Sequence, residues 1–306
     1  MRRVSAGGCV GVIMGGPSAE RDVSLASGQR VLKALHSLGY PAVGIDWTGA
    51  SQDLWADLRR ERVEVAFVAL HGALGEDGCV QGLLECAGVP YTGSGVLASA
   101  LAMDKAASRR VFDQEGIESP RWCVYRGAAD LLRIGLPLVV KPSREGSSVG
   151  VSIVREEAQL EPALQMASRL HGVVLLEEYV AGREIEVAVL DGEVLGDVEI
   201  QPAGEFYDYA AKYQRSDTKY IVPANLSEAE RLLCHDLARR AHAAIGCSGA
   251  TRTDLLLTPS GRAVCLEIDT LPGLTERSLL PMIAAGVGMD LSTLCERILA
   301  TAALKA

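Results

Sequence analysis

No apolar run in the sequence approaches the roughly 20 residues that span a bilayer, so no membrane partner is expected. Paired cysteines are also missing. Eight cysteines (Cys9, Cys79, Cys86, Cys123, Cys234, Cys247, Cys265, Cys295) are scattered without a C-x-x-C pair or a histidine at zinc spacing. That excludes a zinc ribbon and leaves buried thiols in a reducing compartment as the expectation. Excess basic charge is lacking: 30 Lys and Arg face 39 Asp and Glu, a formal net charge of −9, which argues against a nucleic-acid partner. Two common phosphate motifs are absent as well. There is no G-x-x-x-x-G-K-[ST], and the first strand runs into GGPSAE rather than G-x-G-x-x-G. Arg2 and Arg3 are followed by Gly-rich sequence and Glu20, a poor secretion signal, so the cytoplasm is expected.

What is present is globular. The 306 residues are 48% apolar and 23% charged, enough for two or three domains with their own cores. CVGVIM (9–14), AVGID (42–46) and VEVAFVAL (63–70) read as buried strands. Between the first two, Val31, Leu32, Leu35 and Leu38 keep helical spacing up to a Gly39 stop. This alternation predicts a parallel sheet with ligand loops at its strand C-termini. One helix is expected over 96–115. Strands follow at PLVVKP (137–142), VSIV (151–154) and VVLLEEYV (173–180), with a helix ending near Leu170. EIEVAVLDGEVL (184–195) has the Asp-Gly turn of a hairpin. A helix over 227–245, a second hairpin over 253–269 and an amphipathic helix from Asp290 complete the chain. His235 and His242, seven apart on one helix, are expected in solvated or capping roles, as are His36 and His171.

The chemistry-bearing clusters lie late in the chain. KPSREGSSVG (141–150) brings a lysine at a strand end into a Ser/Gly loop, whose N–H groups and hydroxyls suit anionic oxygens. A surface hairpin with a solvated lysine has the same sequence. Carboxylates gather at Glu177, Glu178 and Glu184, and again at Asp254, Glu267 and Asp269. Glu267 and Asp269, two apart on a strand, share a face, and an oxygen-only donor set suits Mg²⁺ bridging phosphates. A solvated acidic face is the alternative.

These motifs assemble into a resemblance. GGPSAERDVSLASG (15–28), HGALGEDGCVQGLLECAGVPYTGSGVLASALAMDK (71–105), KPSREGSSVGVS (141–152), EEYVAGREIEVAVL (177–190), EFYDYAAKY (205–213), GATRTD (249–254) and LEIDTLPGLTERSLLP (266–281) occur in order. Over nearly its full length the chain resembles the D-alanine–D-alanine ligases of the ATP-grasp superfamily. The resemblance implies an α/β, three-domain ATP-grasp fold. An N-terminal parallel-sheet domain (1–104) would be followed by two α+β domains (105–190 and 191–306) enclosing ATP. It further implies two D-alanine substrates, two Mg²⁺ (or Mn²⁺) and a homodimer.

Carried over by position, Lys105 and Lys141 are expected on ATP phosphates, with Ser147 and Ser148 in the loop above them and Lys212 in a covering loop. Glu177 and Val180 are expected at the adenine, with Tyr179 and Phe206 packed nearby and Glu184 on the ribose. Asp254, Glu267 and Asp269 match metal ligands. Glu20 matches the holder of the first substrate's ammonium, with Val23 beside it and His71 near its carboxylate. Ser278 and Leu279 match contacts to the second substrate's carboxylate. Arg252 and the backbone N–H of Gly273 match the pair that stabilises a tetrahedral intermediate. Tyr213, which in the family reaches the Ser147 and Glu20 positions, favours an amine acceptor; ligases making D-alanyl-D-lactate usually have Phe there.

Three positions depart from the pattern. Asp269 stands where Asn is expected, which adds charge to the metal site and by a 1/r argument should tighten it. Ala210 replaces a usual Glu, and GATRTD lacks the more aromatic lead into the arginine.

Overall fold

The computed structural model describes residues 8–170, 172–202, 204 and 217–305. Phe206, Ala210, Lys212, Tyr213 and His171 lie outside them. Among the described residues there are three sheets, one parallel and two antiparallel, in keeping with the parallel-sheet and two α+β domains that the resemblance implies.

The first sheet is β1 (Cys9–Gly15) between β2 (Ala42–Trp47) and β3 (Val63–Val68), all parallel. Helix α1 (Arg21–Ser37) covers one face, and α2 (Ser51–Arg60) the other through Leu54 and Leu58. Alternation along β1 explains both cores: Val10, Val12 and Met14 meet Val31 and Leu35, while Ile13 meets Ile45 and Trp47. Helix α3 (Cys79–Ala87) leads to α4 (Val96–Met103) and α5 (Lys105–Glu115).

The single helix expected over 96–115 is in fact two. Asp104 adopts extended backbone (φ −90°, ψ 98°), and its side chain accepts from the Ala106 and Ala107 N–H groups. An aspartate that caps a new helix competes with continuation of the old one. Lys105 is thereby set in the first turn of α5, buried to 8% exposure.

The central sheet has the order β4 (Trp122–Val124), β7 (Val174–Glu178), β5 (Leu138–Pro142), β6 (Ser152–Val154) and is backed by α6 (Ala128–Ile134) and α7 (Leu160–Leu170). The C-terminal sheet has the order β10 (Lys219–Ile221), β9 (Glu193–Gln201), β8 (Arg183–Leu190), β11 (Ala250–Leu257), β12 (Ala263–Asp269). Both expected hairpins are present, and Asp191 and Gly192 take the positive φ that the Asp-Gly turn requires. A boundary at 190 falls inside the β8–β9 hairpin, since β8 pairs with β9 and β11 and not with the central sheet.

Helix α8 (Glu228–Ile245) opens with a Ser227/Glu230 capping box and buries Cys234, Leu237, Ala241 and Ile245 against the C-terminal sheet. Each Leu or Ile so buried contributes roughly 1.5–3 kcal/mol. Helices α9 (Leu279–Gly286) and α10 (Leu291–Ala300) return to the first sheet, and Leu280, Ile283 and Leu294 share a core with Val10 and Phe67.

Two minor expectations change. His235 is partly exposed with Nε2 2.6 Å from Asp197 Oδ2, and His242 is buried and contacts Thr251 Oγ1 at 2.8 Å. Of the thiols, Cys123, Cys234, Cys265 and Cys295 are buried, but Cys79 and Cys86 are exposed, because α3 presents both outward. Among the described residues no single helix is long and apolar enough to cross a membrane.

Candidate active site

The C-terminal ends of β1 and β3 deliver Glu20 and His71 toward the junction of the three sheets, where a parallel sheet leaves room for ligands. Two cavities meet there. The larger, about 480 Å³, lies between the central and C-terminal sheets. Lys141, Ser148, Glu177, Tyr179, Val180, Glu184 and Asp254 line it. The smaller, about 130 Å³, is lined by Glu20, Val23, His71, Ser147, Arg252 and Asp269, with Gly273, Ser278 and Leu279 opposite. Lys105, Glu145 and Glu267 line both and form the shared wall. All described residues expected at the site are therefore gathered around two adjoining cavities.

Two lysines, each paired with a carboxylate, stand in the wall of the larger cavity. Lys105 Nζ donates to the Glu145 carbonyl at 2.7 Å and pairs with Glu267 Oε2 at 3.1 Å. Lys141 Nζ pairs with Glu177 Oε2 at 2.7 Å. Burial, reinforced by Arg109 and Lys105, lowers the Lys141 ammonium below its ordinary value, although Glu177 opposes the shift. Burial alone would raise the Glu177 carboxyl, but Arg109 and Lys141 outweigh it and hold it below the usual range. Strand alternation turns its neighbour Glu178 outward to Arg121 and Arg262. Tyr179 at the mouth is faced by the Arg155 guanidinium, 4.9 Å from the ring centroid.

The Ser/Gly loop joins the cavities. Ser147 and Ser148 both take left-handed backbone (φ 51° and 60°), costing about 1–2 kcal/mol each for an L-residue. Ser147 Oγ donates to Glu20 Oε1 at 2.5 Å. Glu20 stands at the N-cap of α1 but makes no side-chain cap bond, so its carboxylate faces the cavity rather than its own helix.

In the smaller cavity Arg252 is surrounded by carboxylates. Nε and Nη2 donate to Asp254 at 2.8 and 3.0 Å, Nη1 donates to Asp269 Oδ2 at 2.9 Å, and Glu186 pairs with Nε from below. Burial would lower the guanidinium, but Asp254, Glu186 and Asp269 outweigh it and fix the charge. Asp269 Oδ1 also accepts the Leu271 N–H at 2.9 Å. A Cβ at Gly273 would lie 2.7 Å from Ser278 Oγ, so any larger residue there would have to displace that hydroxyl.

Among the described residues no three His, Cys, Asp or Glu side chains form a ready-made metal cage. Asp254 and Glu267 are nevertheless directly opposed across β11 and β12, and Asp269 is two residues on. Arg252 pairs with Glu186, Asp254 and Asp269, and Lys105 with Glu267. Carboxylates gathered in this way offer hard oxygen donors of the kind that suit a divalent cation.

Several site residues escaped sequence reasoning. Glu76 lines the smaller cavity, and its Oε1 lies 3.4 Å from His71 Nδ1. Burial, with Asp269 and Glu20 nearby, pushes its carboxyl up to about 7 despite His71. His71 is itself raised: burial lowers it, but Glu76, Glu20 and Asp269 outweigh that. Glu76 stands in the quoted HGALGED stretch, so a charged residue in a strand-end loop was the available signal. Glu186 was readable as the second polar residue of an alternating strand.

The sequence comparisons agree with this geometry. Residues 116–300 match the family described as D-ala D-ala ligase C-terminus, and residues 47–94 match D-ala D-ala ligase N-terminus. The chain belongs to the D-alanine–D-alanine ligase family. A relative named D-alanine–D-alanine ligase from Anaeromyxobacter sp. (strain Fw109-5) is 50% identical over 303 residues, covering 97% of each chain. The crystal structure of D-alanine–D-alanine ligase from Bacillus anthracis complexed with ATP superposes with a TM-score of 0.85 at 33% identity, covering 97% of each chain. The VanG D-Ala:D-Ser ligase structure from Enterococcus faecalis gives 0.83 at 29% identity, over 97% of this chain and 99% of that one.

Proposed function

We propose that the chain joins two D-alanines to D-alanyl-D-alanine at the expense of ATP, which becomes ADP and phosphate, supplying a peptidoglycan precursor. One observation carries this reading: Lys105, Glu145 and Glu267 form the shared wall of a nucleotide-sized cavity and an amino-acid-sized one. Such an arrangement lets a γ-phosphate meet a carboxylate.

In this reading Lys105 and Lys141 hold the phosphates, and the Ser147–Ser148 loop closes above them. Tyr179, Val180 and Glu184 receive adenosine at the cavity mouth. Asp254, Glu267 and Asp269 would hold Mg²⁺ (or Mn²⁺), which would supply neutralising charge between phosphates and carboxylate. Glu20 binds the first D-alanine's ammonium, and His71, with Glu76 beside it, faces its carboxylate.

A carboxylate oxygen of that substrate attacks the γ-phosphorus, ADP leaves, and an acyl phosphate forms. The second D-alanine, its carboxylate at Ser278 and the N-terminus of α9, attacks the acyl carbon through its unprotonated amine, and the N–H proton lost as the C–N bond forms leaves on the phosphate. The developing oxyanion is received by Arg252 and the Gly273 N–H, and phosphate then departs with the carboxylate oxygen. The same reading makes the enzyme a cytoplasmic homodimer, with Phe206, Lys212 and Tyr213 completing the site.

The D-Ala:D-Ser neighbour supports a second reading, with another amine as acceptor. Phosphate release and product identity measured with ATP, Mg²⁺ and a panel of D-amino and D-hydroxy acids separate the two. D-alanine as the best donor and acceptor supports the first, D-serine as the better acceptor the second. No release with any substrate overturns both.

A further inference from the structure

Among the described residues Arg109 is the largest side chain with no exposed surface. It lies one helical turn after Lys105 on α5, so both cations face the junction of the central and C-terminal sheets. Each of its three guanidinium nitrogens donates a hydrogen bond. Nε and Nη2 donate to Glu177 Oε1 at 3.0 and 2.8 Å, and Nη1 donates to the Cys265 carbonyl of β12 at 3.1 Å. The other oxygen of Glu177, Oε2, holds Lys141 Nζ at 2.7 Å. Lys141 and Glu177 line the larger cavity, whereas Arg109 stands behind them.

The charge balance follows. Lys141 and Glu177 alone would form a neutral buried pair, with one carboxylate oxygen unmatched. Arg109 makes the trio net positive on the side where phosphates bring negative charge. Its planar fork spans two groups on two sheets at once, which a lysine's single ammonium does not.

We propose that Arg109 is a positioning residue for the nucleotide's phosphates: by saturating Glu177 Oε1 it fixes Lys141 against Oε2 and leaves the buried trio positive toward the cavity. This rests on reading the larger cavity as the nucleotide site.

The test measures Mg-ATP binding by calorimetry, and steady-state kinetics, for wild type, R109K, R109M and R109M/E177Q. R109M is expected to weaken ATP binding and raise the KM for ATP by about tenfold, the order set by losing one nearby buried charge, while the KM for D-alanine moves less than about twofold. R109K recovers part of the loss. R109M/E177Q binds ATP better than R109M, because the uncompensated carboxylate is gone. The proposal is overturned if R109M binds ATP as wild type does, if both KM values rise together, or if the double variant is no better than the single. Should R109M not fold, wild-type ATP affinity in R109K overturns it equally. Wild type failing to bind ATP sinks the nucleotide reading and this proposal with it. Normal wild-type binding with an unaffected R109M sinks Arg109 alone.

Discussion

Ser147 Oγ donates to Glu20 Oε1 at 2.5 Å, tying the loop after β5 to the N-cap of α1 across 127 residues of sequence. The bond aims the carboxylate that the proposed mechanism assigns to the substrate ammonium. A hydrogen bond to a charged group contributes about 1.5–3 kcal/mol. S147A is therefore expected to raise the KM for the first D-alanine by about ten- to a hundredfold, with ATP affinity little changed. Initial-rate kinetics with each substrate varied in turn checks this; an ATP KM that rises instead would contradict it.

Arg252, to which the proposed mechanism assigns the oxyanion, also pairs with Glu186, Asp254 and Asp269. R252A should leave ATP binding largely intact and cut kcat severely, since losing one oxyanion donor costs about 3–4 kcal/mol of barrier. Its removal also takes a cation away from buried Glu186 and Asp254, so the variant should melt at a lower temperature than wild type. R252K, which keeps a charge but not the fork, should regain stability more than turnover. A near-normal kcat for R252A would remove the arginine from the chemistry.

Asp269 contacts Arg252 with one oxygen and the Leu271 N–H with the other. D269N keeps an acceptor for one of these and loses the charge. The half-saturating Mg²⁺ concentration for activity should rise in D269N, because the acidic cluster becomes less negative. Equal Mg²⁺ dependence in the two proteins would deny the residue any part in metal binding.

The raised Glu76 carboxyl sets a pH dependence. A group whose folded pKa is raised, here from 4.5 to about 7, contributes stability that is full below the lower value and lost as pH rises through the upper one. Wild type should lose melting temperature relative to E76Q as pH rises through this window. Parallel melting curves for both proteins would contradict it.

How far the sequence disclosed the site depends on the kind of interaction. The strands and hairpins were legible because apolar alternation and the Asp191-Gly192 turn act locally. Lys105, Glu20 and Arg252 were legible only through ordered motifs, since none is near the others in sequence, whereas Lys141 was also marked by the Ser/Gly loop that follows it. The break at Asp104 was missed because capping depends on one residue's competition with a helix that composition favours on both sides. Arg109 and Glu186 were missed for a different reason: charged residues are ordinarily exposed, and only the assembled sheets show them buried against partners. The three-residue β4 and the short α9 carry too little periodicity to be read.

The fate of one oxygen tests the central claim most directly. With D-alanine carrying heavy oxygen in its carboxylate, and ordinary ATP and water, the acyl-phosphate route transfers one labelled oxygen to each phosphate released with D-alanyl-D-alanine. Mass spectrometry of the phosphate should find that label at one atom per molecule formed. Unlabelled phosphate released alongside dipeptide would contradict the route, and labelled water appearing in its place would mean that ATP is hydrolysed rather than used to activate the carboxylate.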